Sequence, residues 1–110
     1  MNGQTTLRPV IQAIVERLIA AYRPERIILF GSHVCGTADA DSDIDLLIVK
    51  DTPQRFLDRL DEVRRLVTGT HPGIPFDPIV VTPQELAERL QRGDQFVGGI
   101  IRTGEVLYAG

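Results

Sequence analysis

The run Asp43-Ile44-Asp45-Leu46-Leu47-Ile48-Val49 constrains this chain more than any other feature, because two carboxylates stand at alternate positions at the head of an otherwise apolar, partly β-branched segment. A strand is the structure such a run supports, and residues two apart on a strand project from the same face. Asp43 and Asp45 therefore share a face. Leaving both ionised beside a buried strand is costly, since desolvation and like-charge repulsion each disfavour the charged form. A divalent cation removes that cost, and an all-oxygen donor set suits magnesium, which combines one or two carboxylates with waters and phosphate oxygens.

The surrounding residues supply a frame for that strand. Val10, Ile11, Ile14, Val15, Leu18 and Tyr22 recur at helical spacing ahead of Pro24, which predicts an amphipathic helix. Residues 26–30 are apolar, end at Gly31 and read as a buried strand; residues 32–37 have room for a short helix, and residues 38–42 form a polar loop. A longer helix is expected to start at Thr52-Pro53, a capping residue followed by proline, with Phe56, Leu57, Leu60, Val63 and Val67 as its apolar stripe. Residues 76–81 read as a third strand. Thr82-Pro83-Gln84-Glu85 is a capping box that opens a helix through Leu90, and a further helical piece after Asp94 precedes a short tail over 105–108. The pattern predicts the α/β (α+β) class: a mixed three-to-four-stranded sheet with helices packed on it. At 110 residues, 43% of them hydrophobic, one domain spanning 1–110 is expected.

Topology then bears on chemistry. The connection from the second strand to the third contains a helix and is long enough to join parallel neighbours. In that arrangement Asp77, at the start of the third strand, stands beside Asp43 and Asp45, and three carboxylates converge. Such a set can hold two metal ions that steady the attacking and leaving oxygens of an in-line displacement. Pro78 lacks a backbone donor, so the third strand should begin there or lie at an edge. Gly31 permits a tight turn and a close backbone approach to a phosphate, while Ser32 adds a hydroxyl or simply caps its own helix. A calcium loop starting at Asp39 fails, because its sixth position is Ile44 where glycine is required and its twelfth is Lys50 where glutamate is required. Asp39 and Asp41 read as solvated loop charges.

Several functions are excluded by composition. The formal charge is −3 and the arginines are scattered, which argues against a duplex-binding surface. The few aromatic residues are not interleaved with basic ones, so long single-stranded polynucleotides are not expected partners either. No apolar run approaches the ~20 residues needed to cross a bilayer, and residues 1–6 lack the features of a signal peptide, so a cytoplasmic location is expected. Cys35, the single cysteine, allows neither an intramolecular disulfide nor a cysteine-based zinc site and is expected to pack as a small residue.

Leu29-Phe30-Gly31-Ser32-His33-Val34-Cys35-Gly36, followed by Asp41-Ser42-Asp43-Ile44-Asp45-Leu46-Leu47-Ile48, resembles the signature of the polymerase-beta-type nucleotidyltransferase superfamily, in particular its minimal nucleotidyltransferase (MNT) branch. Ten residues separate Ser32 from Asp43, as the Gly-Ser and Asp-x-Asp pattern requires. The resemblance implies that Gly31 and Ser32 hold nucleotide phosphates, that Asp43 and Asp45 ligate magnesium, and that Asp77 is the third carboxylate, assisting deprotonation of an acceptor hydroxyl. His33 and Cys35 depart from the pattern, since basic residues often occupy those positions. By the same resemblance ATP is the substrate and AMP the transferred group. Small members of this kind often act as antitoxins to HEPN-type ribonuclease toxins, some by adenylylating a toxin tyrosine. The competing expectation is a non-catalytic module that neutralises a partner by occlusion, motivated by the apolar set Phe96, Val97, Ile100 and Ile101. A self-associating homo-oligomer whose site a second copy completes is also compatible with the chain.

Overall fold

A computed structural model describes residues 7–36, 38 and 42–110. Asp39, Asp41 and most of the expected polar loop lie outside the described residues. The elements run α1 (Arg8–Ala21), β1 (Arg26–Phe30), α2 (Ser32–Cys35), β2 (Ile44–Val49), α3 (Phe56–Leu66), β3 (Phe76–Val81), α4 (Pro83–Gln91), α5 (Gln95–Thr103) and β4 (Glu105–Ala109). The four strands form one mixed sheet in the order β3-β2-β1-β4. β1 is antiparallel to both β2 and β4, whereas β2 and β3 are parallel, joined by the α3 crossover. The expected tail is thus the fourth strand, and the expected mixed sheet with helices is the observed architecture.

Alternation along the strands divides the core between the two faces of the sheet. Ile27, Leu29, Leu46 and Ile48 face α1 and α3, which contribute Ile14, Leu18 and Val63. Ile28, Leu47, Val49 and Val81 face α4 and α5, which contribute Leu86, Val97 and Ile100. β2 is buried on both faces, as an interior strand with a parallel neighbour must be. The capping box of α4 forms as read: Thr82 accepts from the Glu85 amide, and the Glu85 carboxylate accepts from the Thr82 amide. Asp94 caps α5 by accepting from the Val97 amide.

One element departs from expectation. α3 starts at Phe56 rather than at Thr52-Pro53, with Arg55 extended at its N-cap and no side-chain cap. The Thr52 hydroxyl instead closes a local turn by accepting from the Gln54 amide at 3.2 Å. Phe56 and Leu57, expected inside, are exposed, while Arg59 is buried at 6% relative exposure. Hydrogen bonding explains the inversion. Ile44 donates to Pro75 and Lys50 donates to Val81, so the odd positions of β3 face β2 and the even positions face the open edge. Pro78 turns its missing donor outward, which lets proline sit on this edge strand. Arg59 donates to the outward Val80 carbonyl at 3.2 Å, and Arg64 donates to the outward Phe76 carbonyl at 2.9 Å. Arg59 also donates to both oxygens of Glu85, at 2.7 and 3.1 Å, and to the Gln54 carbonyl at 2.8 Å. It therefore reaches from α3 on one face, across the β3 edge, to α4 on the other.

Replacing Arg59 by Met would leave the Val80 and Gln54 carbonyls and the Glu85 carboxylate without this partner. A loss of about 2–3 kcal/mol is expected in urea denaturation. The hydrogen bond from Arg59 chiefly holds the Glu85 carboxyl below its ordinary value of 4.5. That contribution is complete above pH 4.5 and is lost as pH falls through the depressed value, so the variant should lack this acid-side decline of the wild type.

Candidate active site

The site forms where the end of β1 meets the starts of β2 and β3. Phe30 pairs with Asp45 across the antiparallel β1–β2 ladder, and Asp45 pairs with Asp77 across the parallel β2–β3 ladder. Asp43, two residues before Asp45, is exposed at the mouth of the site. Side-chain oxygens of Asp43, Asp45 and Asp77 all lie within 4.8 Å of one another. The convergence expected from parallel pairing is therefore present.

Directly after β1, the chain turns at Gly31, whose φ of 83° and ψ of −152° suit glycine alone. A Cβ built at Gly31 would fall on the Asp45 carboxylate, so the turn lies against that side chain and any larger residue would displace it. α2 begins at Ser32 and closes at Gly36, which is left-handed with φ of 78° and donates back to the Ser32 carbonyl. Ser32 is half-buried. The half-buried His33 places Nε2 3.4 Å from the Ser42 carbonyl. The side chain of Cys35 lies outside the described part of the structure.

Burial is the first cause that holds the Asp45 carboxyl above its ordinary value of 3.8. Repulsion from Asp77 and then Asp43 adds to it, while His33 opposes it. Three hard oxygen donors, one of them held against ionisation by burial and then by the other two, form a donor set that a divalent cation fits.

The residues read from the sequence, Gly31, Ser32, Asp43, Asp45 and Asp77, are gathered at one end of the sheet. Sequence reading missed Phe30, which pairs with Asp45 and therefore borders the site. Its ring meets that of Phe96 on α5 edge to face, with centroids 5.8 Å apart and planes at 85°. Position alone could have revealed Phe30, one residue before the Gly-Ser turn. The contact with Phe96 could not have been read locally.

A four-stranded mixed sheet with an acidic cluster at the β2–β3 head and a glycine turn beside it defines a nucleotidyltransferase-type domain. The family model of the nucleotidyltransferase domain matches residues 11–101, and the chain belongs to that family, as an MNT-type member. A protein of Methanocaldococcus jannaschii, described as a candidate protein adenylyltransferase, is 38% identical over 85 residues. That match covers 74% of this chain and 56% of the relative, so the chain spans little more than half of the relative's length. A crystal structure from Sulfolobus solfataricus, described as that of a candidate nucleotidyltransferase, superimposes with a TM-score of 0.66. It covers 96% of this chain and 83% of its own at 22% identity, and so supports the fold. Among the described residues no helix is long and apolar enough to cross a membrane.

Because the folded, metal-free protein binds the Asp45 proton more tightly than the unfolded chain does, Asp45 destabilises the fold progressively as pH rises from 3.8 through its raised value. In excess chelator at pH 7, Asp45→Asn is expected to melt at a higher temperature than the wild type in scanning calorimetry. An equal or lower melting temperature would contradict the electrostatic account. Gly31→Ala should do the reverse, losing about 1–3 kcal/mol to backbone strain, with the Asp45 contact adding to the loss.

Proposed function

We propose that the chain is a magnesium-dependent nucleotidyltransferase that moves AMP from ATP to a hydroxyl of another protein. The observation that carries this reading is the cluster of Asp43, Asp45 and Asp77 oxygens within 4.8 Å, with the Gly31 turn against Asp45. Asp43, Asp45 and Asp77 would hold one or two magnesium ions. When bound, the metal neutralises triphosphate charge and lowers the pKa of the attacking hydroxyl. Gly31 lets the backbone approach the phosphates, and the Ser32 hydroxyl donates to a phosphate oxygen. The acceptor oxygen attacks the α-phosphorus, the bond from that phosphorus to the bridging oxygen breaks, and pyrophosphate leaves. Asp77, exposed at the rim, takes the acceptor proton.

The similarity to a relative described as a protein adenylyltransferase favours a protein acceptor. On this reading the domain supplies the nucleotide half of the site and a partner supplies the hydroxyl. The acceptor we propose is a tyrosine of a HEPN-type ribonuclease toxin, with this chain as its cytoplasmic antitoxin. Of the apolar set that motivated neutralisation by occlusion, Val97 and Ile100 are internal at 1% and 4% exposed and Ile101 is half-buried, which leaves Phe96 as its one exposed member. Catalysis is therefore the better-supported means of neutralisation.

The purified chain, mixed with α-labelled ATP, magnesium and the proposed HEPN-type toxin partner, should place label on a toxin tyrosine. Asp43→Asn and Asp45→Asn should each lower that transfer on the order of 10²-fold without weakening toxin binding. Unlabelled toxin that is nonetheless neutralised by the double variant would return the function to occlusion.

A further inference from the structure

Phe96 is 55% exposed, an unusual expense for a side chain that can bury about 150–250 Å². A lone exposed aromatic residue needs no explanation. Phe96 is not alone, however, because Phe30 holds it in an edge-to-face contact at 5.8 Å. That geometry leaves at least one face of the Phe96 ring uncovered by Phe30.

Sheet register places this pair. Phe30 packs on the α4–α5 face with Ile28, and Asp45 and Asp77 project to the same face as Leu47 and Ile79. Phe30, Asp45 and Asp77 therefore form one row across three neighbouring strands, and Phe96 stands above the Phe30 end of that row. One turn along α5 from Phe96, Gly99 has no side chain, and a Cβ built there would meet nothing within 4 Å. Open space thus adjoins the ring on its own helix face. One strand spacing, about 4.8 Å, separates Phe30 from Asp45, and the Phe96 ring lies one 5.8 Å ring contact beyond Phe30. A ribose and its phosphate bridge such a gap.

We infer that Phe96, braced by Phe30, is the platform on which the base of the bound nucleoside triphosphate stacks. This rests on the nucleotidyltransferase reading and extends it to base recognition. Stacking on a phenyl face makes no hydrogen bonds to base edges, so the platform secures the nucleotide without selecting strongly among bases.

The test separates the base from the phosphates. Calorimetric titration compares α,β-methylene-ATP with inorganic tripolyphosphate, both with magnesium, on the wild type, Phe96→Ala and Phe96→Trp. Phe96→Ala should weaken the nucleotide analogue roughly ten-fold or more and leave tripolyphosphate binding unchanged. The chain has no tryptophan, so Phe96→Trp introduces a single indole reporter. Its fluorescence should be quenched by the analogue and not by tripolyphosphate. Equal affinity of the wild type and Phe96→Ala for the analogue would overturn the platform and leave the enzyme reading intact. So would an indole signal that saturating analogue does not change. Loss of label transfer with analogue binding preserved would assign the ring to the acceptor and also overturn it. A wild type that binds neither ligand would overturn both readings.

Discussion

The parallel pairing of β2 with β3, with Asp45 opposite Asp77, is the constraint on which the site depends. Side-chain alternation makes that register sensitive, because a slip of one residue would turn a whole strand over. β2 resists such a slip, since Ile44, Leu46 and Ile48 are fully buried on one face while Leu47 and Val49 are buried on the other. The apolar part of the strand thus positions its polar head. Three carboxylates then meet at the cost of mutual repulsion, which the hydrophobic burial of the same strand offsets.

β3 is the weaker side of that pairing, because it is an edge strand with one ladder only. Exposed edges offer free carbonyls and amides to other chains, and native sheets commonly cover them. Here the cover is supplied by α3. Arg59 and Arg64 reach the outward carbonyls of Val80 and Phe76, and Pro78 between them presents no donor. The bidentate contact of Arg59 with Glu85 continues to α4, where the same carboxylate accepts from the Thr82 amide in the capping box. One arginine consequently links the crossover helix, the edge strand that carries Asp77, and the start of the helix on the opposite face.

What could be read from the sequence follows the range of the interaction. The first three strands, the Thr82 capping box and the Gly31 turn all announce themselves within a few residues, and each is found in the structure. Asp77 was reached by one topological step, the length of the crossover. Arg59 was not legible, because its partners lie in β3 and α4, and the local apolar pattern favoured Phe56 and Leu57 for the interior. The start of α3 was misplaced for a related reason: Thr52 has the composition of a cap, but its hydroxyl serves a turn. Phe30 meets Phe96 only after β1 and α5 have packed together, across 66 positions of sequence.

The central claim is that Asp43, Asp45 and Asp77 exist as a cluster to hold a divalent cation against a nucleotide. A crystal structure with magnesium and a non-transferable ATP analogue tests it most directly. The account predicts a cation about 2.0–2.1 Å from oxygens of Asp43 and Asp45, with the triphosphate against the Gly31 turn. A nucleotide bound elsewhere, or bound at this turn with no cation touching either aspartate at saturating magnesium, would contradict it.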